Sequence, residues 1–255
     1  MGVYFAAVAF VLGLCLGSFY NVCIHRFLAG ESIIRPGSHC PKCGHWLSWW
    51  ENIPVISYLF LRGRCRECGL GISPRYPVVE LVSGLIAALL AYRFGLSWSW
   101  FVYLVLSGVL ITASFIDLEA YILPDMLTLP GAGLALGASF ILPLSWPDAF
   151  IGAGAGFALF WSLQYGYKII KGREGLGGGD VKLMLMLGAI VGWQGLPLTV
   201  FLASCLGLAA SLFYLYRDRN KGMQTRIPFG PFLALGTYIY LLCGEEIINW
   251  YLGRF

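Results

Sequence analysis

The chain is predicted to be an all-α polytopic membrane protein, a bundle of about eight transmembrane helices interrupted by one small polar insertion. Three observations predict this. Of 255 residues, 58% are hydrophobic and only 12% charged, against about 25% charged in soluble domains. The apolar residues fall in long runs, and the positive charges gather between particular runs. Most of the remaining polar sequence lies in a single stretch, residues 25–76.

Eight apolar runs lie near residues 3–24, 77–92, 96–116, 126–146, 149–167, 180–193, 197–216 and 229–244. The first has no basic segment before it and positive charges after it, which predicts an uncleaved signal anchor with its amino terminus outside. Leu14 is too large for the position before a lipidated Cys15. Seven of the 17 Lys and Arg residues lie between Arg26 and Arg75, four between Lys168 and Lys182, and four between Arg217 and Arg226; only Arg93 and Arg254 remain. That asymmetry predicts that the insertion and both aspartate-bearing edges are cytoplasmic and that both termini lie outside. The net charge of +4 therefore reads as topology in contact with lipid, and no nucleic-acid-recognition motif is present. The expected organisation is a first transmembrane helix (1–24), a cytoplasmic insertion (25–76) and a seven-helix membrane core (77–255).

The insertion carries Cys40-Pro41-Lys42-Cys43 and, further on, Cys65-Arg66-Glu67-Cys68. Paired Cys-x-x-Cys knuckles at this separation suit a tetrahedral zinc ion held by Cys40, Cys43, Cys65 and Cys68. A pair of disulfides is the alternative, disfavoured in the cytoplasm. Four thiolates close the coordination shell, so the zinc is structural, a staple for a segment too short to build its own core. Lys42, Arg64 and Arg66 would offset thiolate charge, and His39 and His45 are the neighbours able to replace a ligand. Cys15, Cys23, Cys205 and Cys243 sit in apolar runs and read as packed thiols.

Pro77 marks a helix start with Glu80 in its first turn, either complementing the helix dipole or touching substrate. Gly133-x-x-x-Gly137 and Gly152-x-x-x-Gly156 present small residues for close helix packing. Trp49, Trp50, Trp98, Trp100, Trp146, Trp193 and Trp250 fall near expected interfaces, as an aromatic belt requires. No internal repeat is evident. The uncharged stretch from Leu183 to Tyr216 is too long for one span, and Gln194-Gly195-Leu196-Pro197 is the expected break. The helix from Asp180 to Trp193 would then be about 21 Å long, short of the roughly 30 Å hydrocarbon core, and would leave Asp180 in a wet notch.

Asp117 ends the third run, and Asp180 closes Gly177-Gly178-Gly179-Asp180. Carboxylates beside hydrocarbon are costly and mark function. Two of them brought together cannot both ionise cheaply, so they share a proton; the ionised one can activate water while the protonated one polarises a carbonyl. Lys182 is either a snorkelling interfacial lysine or an electrostatic partner of the pair. Asp125, after Pro124, reads as a helix cap, and Glu119 as an edge charge. A transporter would also keep buried acids, and a docking scaffold would use the insertion alone.

At these residues the chain resembles the type IV prepilin leader peptidases, bifunctional membrane enzymes. The resemblance rests on Gly17-Ser18-Phe19-Tyr20-Asn21-Val22, both cysteine knuckles, Asn52-Ile53-Pro54, Gly63-Arg64-Cys65, Ser73-Pro74-Arg75-Tyr76-Pro77, Gly177-x-Gly179-Asp180-x-Lys182 and Ile227-Pro228-Phe229-Gly230-Pro231. Phe27-Leu28 departs from a common Leu-Pro. The resemblance implies an inner-membrane aspartic protease of the Gly-x-Gly-Asp type, with Asp117 and Asp180 as the catalytic pair and Gly177, Gly179 and Lys182 supporting it. Its substrates would be prepilins or type II secretion pseudopilins. It further implies methylation of the new amino terminus from S-adenosylmethionine, an activity tied to Gly17–Arg26 and the insertion; no glycine-rich loop identifies cofactor-binding residues.

Overall fold

A computed structural model describes residues 2–35, 37–172, 175–217 and 227–253. Among these the secondary structure is helical, with two isolated β-bridges and no strand. Of the basic loop residues, Arg173, Arg219, Lys221, Arg226 and Arg254 lie outside the described residues. The chain forms two compact units, Met1–Thr112 and Ala113–Phe255.

In the first unit, helix α1 (Gly2–Ala29) runs past the expected end near residue 24. Arg26 explains the extension: its guanidinium turns back and donates to the Ser32 and Ile33 carbonyls at 2.7 Å, tying down the chain beyond the helix. The insertion follows, with a 3₁₀ turn Trp49–Asn52 and a short helix α2 (Ile56–Phe60). Helix α3 (Arg75–Phe94) packs along α1. Small residues make the seam: a Cβ on Gly13 would fall 2.8 Å from Gly84 Cα, and one on Gly17 would fall 2.7 Å from Glu80 Cα. Helix α4 (Trp98–Ala120) begins in this unit, where Trp100 faces inward and donates from its indole to the Ala87 carbonyl. Trp100 is thus a core residue and not part of an aromatic belt; Trp49, Trp98, Trp146, Trp193 and Trp250 are exposed.

In the second unit α4 ends and the chain turns through Tyr121 (φ 57°) into helix α5 (Asp125–Ala138), which starts straight after Pro124. Helix α6 (Trp146–Lys171) is capped by Ser145 at one end and by left-handed Gly172 at the other. Helix α7 (Gly178–Arg217) is broken at Gly192 (φ 68°, ψ 174°), not at Gln194–Pro197 as expected. The reason is local: Gly192 tolerates positive φ, and Pro197 falls about one turn into the second segment, where a missing N–H disturbs little. Helix α8 (Gly230–Leu252) completes the unit.

Helix α7 is the centre of this unit, packed by α5, α6 and α8, and its first segment is the most deeply buried. Met184, Met186, Leu187 and Ala189 are wholly buried, as an all-round apolar helix of this length requires. Gly152 and Gly156 allow it, meeting the carbonyls of Gly188 and Met184. Gly133 and Gly137 do not serve packing; a Cβ on either meets nothing within 4 Å. Cys15, Cys205 and Cys243 are exposed on apolar helix faces, not packed inside.

Five helices, Gly2–Ala29, Arg75–Phe94, Trp98–Ala120, Gly178–Tyr214 and Gly230–Tyr251, are long and apolar enough to cross a membrane. The eight expected apolar runs do correspond to helical stretches, but eight crossings are not established. Helix α5, with 14 residues, is about 21 Å long at 1.5 Å per residue.

Candidate metal centre and acid pair

Within the first unit the two knuckles have the same backbone build. Cys40 N–H donates to the His45 carbonyl and Cys65 N–H to Leu70; Gly44 N–H donates to Cys40 and Gly69 N–H to Cys65. Gly44 (φ 71°) and Gly69 (φ 68°) occupy equivalent left-handed positions. Each knuckle closes with an antiparallel bridge, His39 to Trp46 and Arg64 to Gly71. A short repeat is therefore present; in sequence only the cysteines and their following glycines betray it.

The four Sγ atoms lie within 4.8 Å of one another. Cys40 and Cys68 sulfurs are 3.7 Å apart, and Cys43 and Cys65 are 3.9 Å apart. Tetrahedral coordination at 2.3 Å per bond requires sulfurs about 3.8 Å apart; two of the sulfur pairs already have that separation and the whole set lies within 4.8 Å, so the donor set could hold a metal ion. The amides of Cys43 and Lys42 hold the Cys40 thiol down at about 6. The His45 amide also donates to Cys43, yet desolvation, together with the Cys40, Cys68 and Cys65 sulfurs, pushes that thiol up to about 12. A cation among them opposes that rise.

Neither histidine joins the cluster. His39 Nδ1 lies 3.0 Å from the Gly37 carbonyl, and His45 Nε2 lies 3.1 Å from Glu51 Oε2. Arg66 sits over the Trp50 ring at 5.2 Å. Burial alone would raise the Glu51 carboxyl, but the Ser48 amide and His45 hold it below its usual 4.5. Glu51 thereby pins the loop leaving the first knuckle.

The two acids expected to form a pair both belong to the second unit. Asp117 is buried near the end of α4, and the Gly230 amide, first in α8, donates to its Oδ2 at 3.2 Å. Asp180 lies in the first turn of α7, its own amide bonded to the Gly177 carbonyl at 3.1 Å. Leu123 joins these elements: Cβ atoms built on Gly179 and Gly230 would fall 2.7 Å and 3.2 Å from its side chain. Two helix N-termini, those of α7 and α8, thus meet the two carboxylates, and their partial positive charges favour keeping one negative charge on the pair.

Gly179 leaves no room for a side chain, its added Cβ falling 2.7 Å from Leu123 Cβ, and Gly177 leaves little. A Cβ at 177 would lie 3.3 Å from Asp180 Oδ2, whereas one at 178 would meet only Gln164 Nε2 at 3.8 Å. Lys182 does not turn to the pair; its Nζ lies 2.6 Å from Asp125 Oδ2, linking the starts of α5 and α7. Asp125 is therefore an ion-pair partner, and the cap position is Pro124. Leu123 and Gln164, which donates to the Leu176 carbonyl at 3.0 Å, carry no sequence signal of their own.

The fold and site together define a multi-pass helical membrane protein with a four-cysteine metal-binding cluster and a pair of acids at helix ends. Residues 11–94 match the Bacterial Peptidase A24 N-terminal domain, and residues 104–212 match the Type IV leader peptidase family. A Pseudomonas putida protein called prepilin leader peptidase/N-methyltransferase is 41% identical over 96% of this chain and 92% of its own. Relatives with the same name from Pseudomonas aeruginosa (40%, covering 97% and 93%) and Myxococcus xanthus (44%, covering 88% and 67%) are similar. The chain belongs to the type IV leader peptidase family. No solved structure matches it.

Proposed function

We propose that this protein removes the leader peptide of type IV prepilins or type II pseudopilins with Asp117 and Asp180, then methylates the new amino terminus. Convergence of the two acids about Leu123 and Gly230, inside the unit that holds the leader-peptidase match, carries the reading. The ionised member of the pair takes a proton from water, and the protonated member donates to the scissile carbonyl. The Gly230 amide fixes one oxygen of Asp117 and leaves the other for the reaction. The protein crosses the bacterial inner membrane with both termini in the periplasm; the apolar helix of a substrate lies against it with the basic leader in the cytoplasm, on the side where positive charge gathers around the acids and the insertion.

Cys40, Cys43, Cys65 and Cys68 hold a structural zinc ion, because four thiolates leave no position for a reactive water. S-adenosylmethionine supplies an electrophilic methyl group when bound. The residues that fit its charged end, or the amine it modifies, lie in the first unit: buried Glu80 and Asn21, whose side-chain oxygen has no donor.

Incubating purified protein with a prepilin and methyl-labelled S-adenosylmethionine tests both activities. Leader loss on a gel and label on the shortened product are expected; an unshortened substrate after full incubation would contradict the proteolytic reading.

A further inference from the structure

Along the seam between α1 and α3, two buried acceptors lie close together without a cation. Glu80, 6% exposed, accepts the Val55 amide at 2.8 Å and the Ser18 hydroxyl, and among the described residues no cation pairs with it. Asn21, 1% exposed, gives its Nδ2 to the Tyr76 carbonyl at 2.9 Å, while its Oδ1 is buried with no donor. Tyr76 and Glu80 are one helical turn apart on α3, as are Asn21 and Gly17 on α1, and Gly17 lies directly against Glu80. Both acceptors therefore flank one point of the seam.

Burying a carboxylate without a counter-charge, or an amide oxygen without a donor, is unfavourable unless a ligand completes them. What is missing is a cationic group with several N–H donors. The cover over Glu80 is itself strained: Val55, a β-branched residue, has φ 62° and ψ −47°, and its amide is held by Glu80 Oε2.

We propose that Glu80 and Asn21 form a subsite for a primary ammonium group, the chemistry shared by the processed substrate's new amino terminus and the aminoacyl end of S-adenosylmethionine. This rests on the reading that the chain methylates its product. Both acids of the proteolytic pair lie in the other unit, and the leader-peptidase match covers residues 104–212, so the first unit is left for the second activity.

Equilibrium binding to detergent-solubilised full-length protein tests it, with two ligands each measured with a free and with an acetylated amine: the amino-terminal peptide of a processed pilin, and S-adenosylmethionine. For one of them, acetylation is expected to weaken binding to the wild type at least about tenfold, but to Glu80→Gln and Asn21→Ala less than about twofold. The Glu80→Gln variant keeps a side-chain oxygen to accept the Val55 amide, and leader cleavage is unchanged in both variants. Discrimination in the peptide arm identifies the substrate terminus as the occupant, and in the other arm the methyl donor. Equal acetylation effects in wild type and variants with both ligands, or loss of leader cleavage in both variants, overturns the subsite. A wild type that cleaves but takes up no label overturns methyl transfer itself and the subsite with it.

Discussion

Adding one methyl group to the first turn of α7 should separate a glycine that positions the acids from one that does not. In Gly179→Ala the new Cβ would sit 2.7 Å from Leu123 Cβ, about 1 Å inside ordinary carbon contact. Leu123 also backs Gly230, whose amide holds Asp117, so the strain has no outlet that spares the pair. Overpacking of this kind costs about 1–3 kcal/mol, and a displacement near 1 Å lowers a positioned reaction by about 100-fold. In Gly178→Ala the Cβ has only Gln164 Nε2 at 3.8 Å, and Gly178, the first residue of α7, has no positive φ, so a Gly→Ala change there is neutral to favourable. The assay is kcat/KM for leader removal from a prepilin in detergent micelles, with membrane abundance as control. Gly179→Ala is expected to fall about 100-fold and Gly178→Ala to stay within about twofold. Equal activity in the two variants, or the reverse order, would refute the packing argument.

Three further outcomes follow from the same geometry. Lys182→Ala is expected to lower cleavage only a few-fold, since a half-exposed ion pair contributes about 0–1 kcal/mol, and the exchange Asp125→Lys with Lys182→Asp should restore it. Elemental analysis should find one zinc per chain, and Cys40→Ser or Cys65→Ser should lose the metal and expose residues 25–76 to protease while the second unit stays protected. Glu51 is depressed in the folded state, so its contribution is complete above the usual carboxylate value and disappears as pH falls through its lower folded value. Chelator-driven metal release should therefore be faster in Glu51→Gln at neutral pH, and the two proteins should converge once pH falls through the lowered Glu51 value; a ratio that stays constant through the acid range would remove Glu51 from that role.

Much of this protein is legible in its sequence because membrane burial writes long apolar runs and makes each charge conspicuous. Asp117 and Asp180 stand out for that reason, and the four cysteines stand out because two-residue spacing suits only a few chemistries. The break in α7 is harder to place because Pro197 is the louder signal, although a left-handed glycine, Gly192, makes the turn. Packing partners are less legible still. Gly133 and Gly137 have the spacing of Gly152 and Gly156, yet only the latter meet another helix, because spacing does not say which face has a neighbour. Lys182 is ambiguous in sequence for the same reason: Asp125 is 57 residues away. Leu123 is an ordinary leucine until two glycines are seen against it.

The most direct measurement is leader cleavage by Asp117→Asn and Asp180→Asn, each made alone and assayed at matched membrane abundance and zinc content. Both are expected to lose at least about 1,000-fold in kcat/KM while keeping the zinc. Near-normal cleavage by either variant would contradict a shared two-acid site.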